Sequence, residues 1–149
     1  MKSCFMFGHA DTPDSILPVL ENTIELYFTQ FQIQSFYVGN RGSFDRLATT
    51  AAKRVKQRYP ELKLYLLLAY HPAEQTISLS EGFDSSFYPP LEGVPRKYAI
   101  VKANKYMVDN ADSIICYVKH IGNTRNLLEY AQKRKMQGEI VLQNLSKDV

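Results

Sequence analysis

Cysteine is scarce in this chain: there are two, Cys4 and Cys116, and each falls inside a predicted buried strand. So small a set at that separation forms neither a disulfide framework nor a metal-ligand motif, so both are expected as buried, reduced residues. Long apolar runs are missing too. The longest covers 64–70, far short of the ~20 residues that span a bilayer as a helix, so no membrane partner is expected. Lys2 is followed by no extended apolar segment, which argues against a signal peptide and makes the cytoplasm the expected location. A large excess of charge is also lacking, with 18 basic residues against 15 acidic, a net of +3. That balance helps to attract phosphate-bearing ligands but falls short of a nucleic-acid-binding signature. The densest basic cluster, Lys53, Arg54, Lys56 and Arg58, sits on a predicted helix and reads as a solvated face.

What is present is ordinary globular composition. The 149 residues are 45% hydrophobic and 22% charged, which suits one domain over 1–149 whose core needs no metal or disulfide. Apolar runs alternate with helical periodicity. Strands are predicted at 3–7, 35–38, 62–69, 113–118 and 140–142. Helices are predicted from Thr12-Pro13 through Phe31, with threonine as cap, and from a Ser43 cap to Pro60. Two more are predicted over 95–110 and from Gly122 to Gly138. The inner face of the second is expected to be Phe44, Leu47, Ala48, Ala51, Ala52 and Val55. The segment 71–95 holds four of the seven prolines and reads as a long functional loop, with Phe83, Phe87 and Tyr88 packing part of it onto the domain. Strand–helix alternation requires parallel strands with crossover helices. The expected fold is therefore α/β: a Rossmann-like three-layer α/β/α arrangement, with a doubly wound parallel sheet of about five strands ordered 3-2-1-4-5.

In such a sheet, ligands bind outside the carboxyl ends of the strands. Gly8 and His9 follow the first strand. Gly39, Asn40, Arg41, Gly42, Ser43, Phe44 and Asp45 follow the second. His71 follows the third, and His120, Gly122, Asn123, Thr124, Arg125 and Asn126 follow the fourth. Two of these loops carry glycine directly into a helix start, where unpaired N–H groups and partial positive charge suit an anion. The amides of 42–44, assisted by Arg41, are the expected phosphate cradle, and 122–124 a second clamp. Asp45 fits equally a dipole-complementing acid and a reader of ribose or base, and His9 is a further candidate for that second role. A three-histidine metal site is set aside, because His71 lies two strands from His9, roughly 10 Å along the sheet. No serine or cysteine on this rim has a base and acid partner, so no nucleophilic reaction is assigned.

These residues resemble a known group. Gly8-His9, the run from Tyr37 to Asp45 (YVGNRGSFD), and Gly122-Asn123-Thr124-Arg125-Asn126 with Glu129-Tyr130-Ala131 look like the SLOG superfamily. This Rossmann-like group includes the LOG phosphoribohydrolases and DNA-processing proteins, and the chain is most similar to its short bacterial members. The resemblance covers nearly the whole chain and implies a nucleotide or nucleotide-derived ligand, a cytoplasmic location and often a homodimer. It names no cofactor. The chain departs from the LOG pattern, which places a glutamate where Leu127 follows Thr124 here, and from relatives that carry arginine at the positions of Ala10 and Ala103. The readings carried forward are a non-catalytic nucleotide-binding or sensing module, an N-glycosidic hydrolase using Glu129, Asp45 or Glu81, and a protein-interaction module.

Overall fold

The computed structural model describes residues 2–75, 77–138 and 140–147. It contains β1 (Ser3–Gly8), α1 (Leu17–Gln30), β2 (Ser35–Val38), α2 (Ser43–Arg58), β3 (Lys63–Leu67), β4 (Ser85–Phe87), α3 (Ala99–Asn110), β5 (Ser113–Tyr117), α4 (Asn123–Gln137) and β6 (Val141–Asn144), with short 3-10 turns before α1 and α3 and after β6. The strands form one sheet in the order β4-β3-β2-β1-β5-β6, and every neighbouring pair is parallel.

The five strands read from the sequence thus take their expected order. The sixth, β4, places a strand within 71–95, which the sequence reads as a long functional loop. It lies outside β3, pairing Tyr65 with Ser85 and Leu67 with Phe87. Its polar sequence hides it, because what fixes it is a tertiary contact. Asp84 accepts the Leu64 amide at 2.8 Å and the Lys56 ammonium at 2.9 Å, while its own N–H donates to the Leu64 carbonyl.

Alternation along β1 sends Cys4 and Met6 to one face and Phe5 and Phe7 to the other. The first face packs under α1 and α2 with Leu20, Ile24, Phe44, Leu47 and Val55; the second packs under α3 and α4 with Met107, Val108, Leu128 and Ala131. All six inner-face residues expected on α2 are buried. The two cysteines are buried and unpaired, on opposite faces, and burial pushes both thiols up to about 12. Among the described residues no helix is long and apolar enough to cross a membrane.

Two caps differ from expectation. A 3-10 turn (Asp14–Ile16) precedes α1, and the Thr12 hydroxyl donates to the His9 carbonyl at 2.6 Å instead of capping a helix. Gly42, not Ser43, is the N-cap of α2, at φ +91°.

Candidate functional site

The β1–α1, β2–α2 and β5–α4 loops meet at the carboxyl end of the sheet, and His9 ties them together. Its carbonyl accepts the Thr12 amide and hydroxyl and the Phe44 amide. Its own N–H donates to Tyr117. Its ring Nε2 accepts the amides of Lys119 at 2.8 Å and His120 at 3.2 Å. Two donors on Nε2 place the ring proton on Nδ1. The His9 side chain is buried, and its Nε2, a ligand contact expected from the sequence, is committed to these two amides.

The His120 ring stacks on His9 with centroids 3.7 Å apart, and its Nε2 lies 3.1 Å from Asp11. The Asp11 carboxylate raises the pKa of His120, and His120 in turn lowers that of Asp11. Burial, with His120 beside it, lowers that of His9. The two rings are therefore expected to titrate on opposite sides of the ordinary imidazole value, His9 below and His120 above. NMR titration of the ring protons checks this, and coincident titration would contradict it. The ligand atoms of His9, Asp11 and His120 lie within 4.8 Å of one another. His71 stands apart, its ring against Tyr88 and its Nδ1 accepting the Ala73 amide, so the three histidines do not converge.

The β2–α2 loop also departs from the sequence reading. The Ser43 amide donates to the Ala10 carbonyl at 2.9 Å, and the Phe44 amide to the His9 carbonyl at 3.3 Å. Phe44 is buried, its ring packed over Gly8. The Arg41 amide donates to Asp45 Oδ2 at 2.8 Å, an acid in the first turn reaching back across the cap. Two of the three amides of the phosphate cradle expected at 42–44 are therefore taken, because the neighbouring loop supplies the acceptors for Ser43 and Phe44.

The start of α4 is different. Gly122 caps it at φ +150°, and the Asn126 amide closes the first turn onto the Gly122 carbonyl. No acceptor stands opposite the amides of Asn123, Thr124 or Arg125 among the described residues. Arg125 turns its guanidinium back to the Lys119 carbonyl. Beside this helix start opens a cavity of about 510 Å³ between α3 and α4. Phe5, Phe7 and Leu67 floor it. Ile100, Val101, Asn104 and Lys105 of α3 form one wall, and Asn123, Thr124, Asn126, Leu127, Tyr130 and Lys133 of α4 the other; Gly8, Gly39, Arg41 and Asp45 also line it. It lies at the switch between β1 and β5, where doubly wound sheets place ligands.

Of the candidates read from sequence, Gly8, Gly39, Arg41, Asp45, Asn123, Thr124 and Asn126 line this cavity. Asn40 and Gly42 line a smaller cleft on the α2 side, and His9, Ser43, Phe44, His120 and Gly122 line neither. The sequence reading missed the helical walls. Their signal was present: Asn126, Tyr130 and Lys133 recur at i, i+4 and i+7, one helix face. The aromatic residues of 71–95 form no continuous patch, since Phe83 packs on the α1/α2 face and Phe87 on the α3/α4 face.

Asp45 sits on the wall of both clefts. Burial raises its carboxyl to about 6, against the lowering effect of the Arg41 amide and charge. The native state thus holds this proton more tightly than the unfolded chain does. Stability from this group is full below about pH 4 and is lost as pH rises through about 6, a loss on the order of 1–3 kcal/mol. Asp45→Asn is expected to remove that loss, so that the variant gains on wild type between pH 4 and pH 7 in urea denaturation. A constant difference across that range would contradict the assignment. Comparison with protein-family models and with curated proteins gives no match.

Proposed function

We propose that the chain binds a nucleotide or nucleotide-derived ligand in the α3/α4 cleft, its phosphate at the start of α4 and its base on the apolar floor. The observation that carries this reading is the pairing, in one cavity, of a helix start whose Asn123 and Thr124 amides are unpartnered and a floor of Phe5, Phe7 and Leu67. Such a site matches a ligand that is anionic at one end and flat and apolar at the other. Its volume falls in the range of small-molecule sites. Arg41, Lys105 and Lys133 on the same walls, against Asp45 and Glu129, favour an anion. The SLOG resemblance supports the same ligand class. Calorimetry with AMP, ADP-ribose, NAD and cyclic and dinucleotide forms tests it. Micromolar or tighter binding of one of them is expected, and silence of folded protein across the panel would overturn the reading.

A second reading, N-glycosidic hydrolysis, is favoured by one observation: Asp45 and Glu129 line the same cavity, and Asp45 holds its proton up to about pH 6. Glu81 lines neither cleft. Release of free base from nucleoside monophosphates, lost in Asp45→Asn or Glu129→Gln, would establish it. Absence of release with nucleotide still bound leaves the binding module.

A further inference from the structure

A second cleft of about 310 Å³ opens on the α2 side of the sheet, under the segment that leads into β4. It shares Gly39 and Asp45 with the α3/α4 cavity, so those residues form the ridge between the two. Residue 39 adds no side chain to that ridge, where a Cβ would stand 3.0 Å from Asp45 Oδ2. Asn40, Thr49, Thr50, Ser78, Ser80 and Phe83 line the second cleft. Those side chains are amide, hydroxyl and one aromatic ring, and they stand beside Asp45, Arg46, Leu66 and Ile77. The cations nearby are already engaged. Lys53 donates to Ser80 Oγ at 2.9 Å and lies 5.2 Å from the Phe83 ring centre, and Arg46 pairs with Asp14 at 2.7 Å. Hydroxyl, amide and carboxyl groups around an aromatic face suit an uncharged polyhydroxylated group.

We infer that the ligand has two parts and crosses the ridge at Gly39, its nucleotide half in the α3/α4 cavity and a sugar in the α2-side cleft, as in a nucleoside diphosphate sugar. The inference rests on the reading of the larger cavity as a nucleotide site. It adds a second binding site and the class of molecule that would fill both.

Calorimetry with ADP and ADP-glucose separates the two claims, because ADP-glucose adds the sugar to the same nucleotide while giving up one terminal phosphate charge, so any gain in affinity comes from the sugar. Wild type is expected to bind ADP-glucose at least ~10-fold more tightly than ADP, the effect of about one to two added hydrogen bonds. Thr50→Trp, which fills the cleft from α2, is expected to abolish that advantage and leave ADP affinity unchanged. Ser78→Trp fills it from the opposite, exposed side and serves if Thr50→Trp does not fold. Equal binding of the two probes by wild type, or an advantage that survives a folded tryptophan variant, overturns the two-part ligand while the nucleotide site stands. Failure of both probes to bind overturns the two-part ligand, and silence across the wider nucleotide panel overturns the nucleotide site as well.

Discussion

Gly42→Val is expected to destabilise the fold by about 3–5 kcal/mol, a large fraction of the ~5–15 kcal/mol that holds a domain together. Two costs combine. Gly42 has φ +91°, a conformation that a β-branched residue adopts only under strain. A Cβ at 42 would also lie 2.6 Å from the Ala10 Cα, a backbone atom that cannot turn aside. The collision falls where the Ser43 and Phe44 amides bond the Ala10 and His9 carbonyls, so relief by movement would break the junction of the β1 and β2 loops. Urea denaturation measures the loss. A change below about 1 kcal/mol would mean that this junction contributes little.

Asn123→Pro is expected to weaken AMP binding by about 10- to 100-fold and to leave the melting temperature near wild type. Residue 123 is the first of α4, where an N–H has no intrahelical acceptor and proline is well accommodated. Gly122 before it is extended in ψ, at −168°, which suits a residue preceding proline. The substitution thus removes one donor from the proposed anion site without removing a helical bond. A hydrogen bond to a charged group contributes about 1.5–3 kcal/mol, the source of the expected factor. Asn123→Ala removes the side chain but keeps the amide, and should lose little. Equal losses in the two variants would place the contact on the asparagine side chain instead.

The contrast between the two helix starts marks what the sequence could reveal. Both α2 and α4 follow a glycine at the end of a parallel strand, and from residue types alone 42–44 and 122–124 offer the same unpaired amides. Which remains open depends on acceptors from a loop distant in the chain. Ala10 and His9 come to α2, and nothing equivalent comes to α4 among the described residues. His9 misleads for the same reason, since its ring partners are the Lys119 and His120 amides across the sheet. What is local was legible: periodicity marked the buried face of α2, and strand–helix alternation with the crossover rules marked the order of five strands. Neither could reveal β4, whose pairing depends on one carboxylate, Asp84, held by Lys56 and Leu64.

Amide NMR during titration with AMP tests the central claim most directly. The N–H signals of Asn123, Thr124 and Arg125 are expected to move furthest, while those of Ser43 and Phe44 stay in place. Saturable AMP binding that leaves 123–125 unmoved, or that moves 43–44 instead, would contradict an anion site at the start of α4.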